Sequence, residues 1–353
     1  MTHTHTNDIA GRWRALLAAE PGLRIREAAK RLGSVEAALL ATRLDGESVI
    51  RLRGPWPEIV GKVGGLGQVM ALTRNEMVVH ERHGTYGELS LEGHVGLILG
   101  EDIDLRIFFG AWAHGFAVTE ETRAGPRRSL QFFDAAGQAI HKIYATEATD
   151  REAFETLVAA YRDEDQSAAA VTLRPTPAKP APLADSQIDA DSLRAAWAAL
   201  QDTHDFFPLL RKHKVAREQA FRLAGTEFAV PLENGSARRM LQTAAQDGLP
   251  IMVFVGNPGM IQIHTGPVEK LLATGPWFNV LDPLFNLHLR EDGIASSWLV
   301  RKPSVDGTVT SLELFDAQGE LVVSFFGKRK PGEPELSGWR DLAESLATPQ
   351  AAA

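Results

Sequence analysis

SLQFFDAAG at residues 129–137 and SLELFDAQG at residues 311–319 are one phrase written twice. Serine, leucine, phenylalanine, aspartate, alanine and glycine recur in register, at an offset of 311 − 129 = 182. The same offset pairs Asn75 with Asn257, Gly84 with Gly266, Gly93 with Gly275, Gly125 with Gly307 and Glu36 with Glu218. No gap is needed from about residue 34 to residue 144. Matches on turn glycines and apolar positions, held over so long a span, identify a tandem duplication.

Outward from that phrase, each copy reads as helices, then strands, then a closing helix. Apolar alternation in ESVIRL, QVMALTR, EMVVHER, LRIFF, GFAVTEE and SLQFF, broken by Gly, Asn and Asp, predicts antiparallel strands between about Ser48 and Tyr144. Before them, Trp13, Leu16 and Leu17 share a helix face, and Arg24 to Leu44 reads as helix, turn, helix with Ser34 capping the second. After them, DREAFETLVAAYRD places Phe154, Leu157, Val158 and Tyr161 on one stripe. Residues 1–7, with His3 and His5, read as a solvated tail. Pro175, Pro177, Pro180 and Pro182 crowd a stretch that favours extended conformation. The expected organisation is α+β: a repeat over 1–165, a linker over 166–187 and a second repeat over 188–353, each repeat a large antiparallel β-sheet flanked by helices.

Composition narrows the function. A formal net charge of −8 argues against a nucleic-acid partner. The chain has no cysteine, so disulfides, thiolate metal sites and thioether-attached haem are excluded. MTHTHTNDIAGRW has neither the basic start nor the apolar run of a secretory signal, and no apolar run approaches bilayer length; a cytoplasmic protein without membrane insertion is expected. IREAAKRLGSVEAALLA has the spacing of a helix-turn-helix, but VEAALLAT carries nothing to reach base edges and reads as core. The glycines of GKVGGLGQ match no phosphate-binding fingerprint.

The chemistry concentrates at Thr203–Gly225, THDFFPLLRKHKVAREQAFRLAG. Two short helices are expected, with Asp205 capping the first, Pro208 tolerated in its opening turn and Gly225 stopping the second. Phe206 and Phe207 offer apolar area, Arg211, Lys212, Lys214, Arg217 and Arg222 offer positive charge, and His204 stands at the mouth. That set suits a flat apolar ligand with an electrophilic centre and anionic edges. His204 reads either as a helix-start histidine or as an axial ligand to haem iron. Arg106, alternating with Leu105 and Ile107, faces away from them; it serves a solvated strand face, a water on iron, or a propionate. Arg217, Lys302 and Arg329 could clamp two propionates, while Lys328 and Lys330 read as solvated. Under the 182-residue offset, His204 falls over Gly22, Arg106 over His288, Arg217 over Val35 and Lys302 over Glu120, so these positions have escaped the symmetry.

THDFFPLLRKHKVAREQAFRLAG, DLRIFF and the duplication together resemble the cytoplasmic haemin-transport or haemin-degrading factor family (HemS/HmuS/ChuS type) of bacterial haem-uptake systems. The resemblance implies one non-covalent haem b in a cleft of the C-terminal half, reached by the N-terminal half. It makes His204 the proximal iron ligand, Arg106 the distal residue with Phe108 beside it, and Arg217, Lys302 and Arg329 the propionate partners. Tyrosines lining that pocket in the family have no counterpart: Tyr86, Tyr144 and Tyr161 all lie in the first half, and Val323 and Phe326 stand in the late strand. The expected function is haem trafficking for iron acquisition, with a haem-uptake transporter upstream and a haem oxygenase downstream. Degradation of haem by the chain itself and a cofactor-free interaction module are the alternatives.

Overall fold

The computed structural model describes residues 4–123, 125–330 and 332–347. In the first half the chain runs α1 (Thr4–Ala19), α2 (Ile25–Arg31), α3 (Glu36–Ala41), β1 (Val49–Leu52), α4 (Trp56–Lys62), β2 (Gly67–Arg74), β3 (Val78–Thr85), β4 (Leu89–Glu92), β5 (Val95–Leu99), β6 (Asp104–Phe108), β7 (His114–Thr122), β8 (Gly125–Phe133), β9 (Ala139–Thr149) and α5 (Arg151–Tyr161). The second half continues with α6 (Ala190–Ala198), α7 (Phe206–Lys212), α8 (Arg217–Ala224), β10 (Ala229–Leu232), α9 (Ser236–Asp247), β11 (Ile251–Asn257), β12 (Met260–Gly266), β13 (Leu271–Thr274), β14 (Trp277–Leu281), β15 (Phe285–Arg290), β16 (Ser296–Lys302), β17 (Val309–Phe315), β18 (Leu321–Gly327) and α10 (Ser337–Ser345). The strands form two large antiparallel sheets flanked by helices, the α+β architecture expected.

The chain divides into two compact units. Unit 1 takes Met1–Arg74, Glu81–Pro177 and the short segment Asn257–Gln262; unit 2 takes Asn75–His80, Ala178–Gly256 and Ile263–Ala353. Within unit 1, β1, β7, β8, β9 and β2 pair in that order, and β6, β5 and β4 form a further run. Unit 2 repeats the plan with β10, β16, β17, β18 and β11, and with β15, β14 and β13.

The repeated phrase shows why its letters recur. Asp134 Oδ1 accepts from the amides of Ala136 and Gln138 at 2.9 and 2.8 Å, and Asp316 Oδ1 accepts from Gln318 and Glu320, each at 2.9 Å. The glycines that close these turns, Gly137 and Gly319, have φ of +82° and +73°, a conformation that L side chains rarely adopt. Both copies carry a β-bulge one step before the turn, at Phe132/Phe133 and at Leu314/Phe315. The matched asparagines are equally specific. Asn75 Nδ2 donates to the carbonyls of Gly256 and Val322 at 3.2 and 2.8 Å, and Asn257 Nδ2 donates to Arg74 and Ile140 at 3.1 and 2.8 Å. Each acceptor in the first pair is its counterpart in the second moved by 182 residues.

Packing follows the periodicities. Phe154, Leu157, Val158 and Tyr161 of α5 are all buried, and Asp150 caps that helix through the Ala153 amide. Trp13 is buried with Leu16 and Leu17 against it. VEAALLAT is core: α3 buries Ala37, Leu39, Leu40 and Ala41, and its buried Glu36 meets Lys142.

Three local expectations are corrected. The tail is shorter than residues 1–7, because α1 begins at Thr4; His3 lies outside the described residues. Ser34 does not cap α3, whose cap position is taken by extended Val35 without a side-chain bond. Helix α4 falls inside the span read as strands, whereas β4 and β5 agree with that reading although their short, glycine-interrupted runs were not singled out.

Candidate functional site

Thr203–Gly225 folds as a 3₁₀ turn, Thr203–Asp205, followed by α7 and α8. Pro208 sits in the first turn of α7, where an amide has no intrahelical acceptor to lose. Gly225, at φ +91°, ends α8. The expected Asp205 cap is not made. A capping residue needs extended backbone, and Asp205 is already helical at φ −73°, ψ −9°. Asp202, extended at φ −137°, ψ 135°, takes the task instead.

Asp202 Oδ1 accepts from the His204 amide at 2.9 Å and lies 2.7 Å from His204 Nδ1. The His204 amide, then its imidazole, hold this carboxyl below its ordinary range against a small burial penalty, with Arg329 adding further attraction. An ionised carboxylate can only accept, so Nδ1 carries a proton, and in the neutral ring the lone pair is left on Nε2. The His204 side chain is 87% exposed, and Nε2 is available to a ligand.

A second constellation forms where α8, β16 and β17 meet. Arg217 opens α8 and grips Glu313 with two hydrogen bonds, Nε at 2.6 Å and Nη2 at 2.9 Å. Lys302 Nζ lies 2.7 Å from the same carboxylate, whose Oε1 also accepts from Ser311 Oγ at 3.0 Å. Both cations stand over Phe206, at 5.3 Å for the guanidinium and 4.8 Å for the ammonium. Phe206 is buried, edge-on to Trp197 at 4.5 Å, whereas Phe207 is 63% exposed. Phe326 presents its ring to Lys302 at 6.0 Å and packs edge-on to Phe254, while Val323 points into the core.

The electrostatics of the three charges are asymmetric. Burial would raise the Glu313 carboxyl, but Arg217 and then Lys302 hold it far below the carboxylate range. Lys302 is pushed down to about 8, first by burial; Glu313 opposes the fall and Arg217 adds to it. One anion between two cations is stabilised twice, while each cation feels one partner and one rival. The ammonium of Lys302, a candidate propionate partner from the sequence, is buried and engaged by Glu313.

Arg329 Nη2 lies 3.3 Å from Asp306 Oδ2, which also accepts from the Gly332 amide. The Val305 amide donates to the Gln201 carbonyl at 2.9 Å, tying this turn to the segment just before Asp202. Unit 2 thus holds His204, Arg217, Lys302 and Arg329, with Arg329 acting electrostatically on the carboxylate that orients His204.

Arg106 and Phe108 belong to unit 1. Along β6, Leu105 and Ile107 are fully buried and Arg106 faces the other way, as alternation predicts. There its guanidinium pairs with Asp104, and Phe108 follows on the same face, half-buried.

Asp202, Glu313 and Asp306 were missed by the sequence reading. Glu313 had left a signal, since its partner in the duplication is Gln131. Among the described residues, no cluster of three or more His, Cys, Asp or Glu could hold a metal ion unaided, and no helix is long and apolar enough to cross a membrane.

A family model described as the haemin-degrading HemS.ChuX domain matches residues 33–161 and again 214–346. The chain is 41% identical over 338 residues to the hemin transport protein HmuS of Yersinia pestis, covering 95% of this chain and 96% of the relative. Holo-PhuS, a heme-binding protein from Pseudomonas aeruginosa, is 51% identical with a TM-score of 0.94, covering 97% of this chain and 99% of that one. ChuS, described as an E. coli heme oxygenase, is 37% identical with a TM-score of 0.87, over 97% of this chain and 100% of that one. With its domain matched twice and its length shared with these relatives, the chain belongs to the haemin-degrading HemS/ChuX domain family.

Proposed function

We propose that this chain binds one haem b without covalent attachment, through His204 Nε2, and carries it within the cytoplasm for iron acquisition. The observation that bears the reading is the exposed imidazole whose Nδ1 is engaged by Asp202, which leaves Nε2 the coordinating nitrogen. A carboxylate behind a metal-bound imidazole fixes the ring and makes the ligand nitrogen more basic. Arg217 and Arg329, both partly exposed, supply positive charge for ligand carboxylates, and exposed Phe207 supplies apolar area. Lys302 contributes through Glu313. Arg106 and Phe108 are further proposed haem contacts, each to be tested by its own alanine variant.

Bound haem would bring the metal and its ligand chemistry; the protein supplies one imidazole, orienting hydrogen bonds and charge. One protein ligand on iron favours a carrier, because release requires a single bond to break. The heme-binding and hemin-transport relatives support haem carriage; an uptake transporter as donor and a haem oxygenase as acceptor are part of the proposal. Titration of the apo-protein with haemin should shift the Soret band, and His204→Ala should change that spectrum and weaken binding. An identical titration by the variant would sink the assignment.

The likeness to ChuS, described as a heme oxygenase, favours degradation as the second reading. Turnover to a linear tetrapyrrole with a reductant and oxygen, undiminished by catalase, would establish it over carriage alone.

A further inference from the structure

We infer that Glu313 is a positioning residue for ligand carboxylates: it holds Arg217 in one orientation over Phe206 and neutralises Lys302 beneath it. The inference rests on the haem reading above. Glu313 is fully buried at the middle of β17 and cannot itself meet a ligand, yet it engages Arg217 Nε and Nη2 together. A guanidinium gripped on that edge is fixed in rotation, and its remaining edge, Nη1, can turn only toward one sector. The site then presents one oriented donor edge and a net charge of +1, from two cations and one anion.

The duplication supplies an internal control. At the equivalent position of unit 1, Gln131 is buried, and its Nε2 donates to Ser129 Oγ at 3.0 Å. In unit 2, Ser311 Oγ donates to Glu313 Oε1 at the same distance. The scaffold therefore accepts an amide here and keeps the local serine bond. The carboxylate stands only in the copy that has Arg217 and Lys302 where the other has Val35 and Glu120. A residue needed merely to build the strand would not follow the cations.

The test compares haemin with haemin dimethyl ester, whose propionates are capped, on the full chain. Wild type should prefer haemin, and Glu313→Gln, which installs the residue of unit 1, should cut that preference about tenfold while ester binding changes less than about twofold. Glu313→Asp, which keeps the charge but withdraws it by one methylene, should lose part of the preference and serves if the glutamine variant does not fold. A merely structural role would lower both affinities together with the urea midpoint. An unchanged haemin-to-ester ratio in a folded variant overturns the proposal, as does a wild type that binds both forms equally. A wild type that binds neither form overturns the haem reading itself.

Discussion

Replacing Asp202 by alanine removes two hydrogen bonds at once, one to the His204 amide and one to its ring, and changes nothing on the face that meets a ligand. Its consequence can be sized. Partners behind a metal-bound histidine are worth roughly 10–100-fold in metal affinity. The His204 side chain is 87% exposed and that of Asp202 60%, so water screens the pair and the lower end applies. Haem affinity in Asp202→Ala should fall about tenfold, or about 1.4 kcal/mol. Without the carboxylate, Nδ1 need not carry the proton, and a fraction of molecules presents Nε2–H, which has no lone pair to give.

Asp202→Asn separates geometry from charge. An asparagine oxygen can accept from both N–H groups, so the turn and the tautomer survive while the bonds weaken roughly twofold. The expected order of haem affinity is wild type, then Asn within about threefold, then Ala about tenfold down. Soret titration under one buffer, with His204→Ala as baseline, gives all four constants. If the alanine variant matched wild type within about twofold, Asp202 would be no more than a turn residue, and the choice of Nε2 would lose its basis.

Three further outcomes follow from the packing and the charges. Phe206→Ala should destabilise unit 2 by about 3–5 kcal/mol in chemical denaturation, since the buried ring meets Trp197 and two cations; a loss under about 1 kcal/mol would contradict that packing. Asn75→Ala and Asn257→Ala should each cost about 1–3 kcal/mol, and a neutral result at one of them would mean that the matched hydrogen bonds are not equivalent in energy. Glu313 is held below its ordinary range, so the native state binds fewer protons than the unfolded chain in acid. Its contribution is complete above the usual glutamate value of about 4.3 and is lost as pH falls below it. Stability measured between neutral and acid pH should fall less steeply in Glu313→Gln; equal slopes would refute the charge assignment.

The parts of the fold that depend on one segment were legible. The Asp and Gly of each repeated phrase make the turn by themselves, the α5 stripe needs only its own period, and Arg106 faces away from Leu105 and Ile107 by alternation. The parts that depend on backbone already placed were not. DTHD offers an aspartate on each side of His204, and the choice falls to Asp202 because Asp205 already has helical backbone. Ser34 fails as a cap because the extended residue is Val35. The Glu313 cluster draws on α8, β16 and β17, and Lys302 meets a carboxylate eleven residues on only through the strand register.

That register also explains how one copy could gain charge without losing its fold. An ammonium buried alone at position 302, the counterpart of Glu120, would cost several kcal/mol, and a carboxylate buried alone at position 313 as much. Glu313 with Arg217 and Lys302 forms a compensated set, so the three are tolerable together and costly singly. Unit 1 keeps the same strands, bulge and turn with Gln131, Val35 and Glu120. The scaffold therefore does not require the charges. Residues that the fold needs, such as Asn75 with Asn257 and Asp134 with Asp316, recur with their hydrogen bonds, whereas His204 and this cluster occur once. Stability does not ask for these side chains in either copy, and the proposed ligand, with one metal and carboxylate edges, needs them in only one.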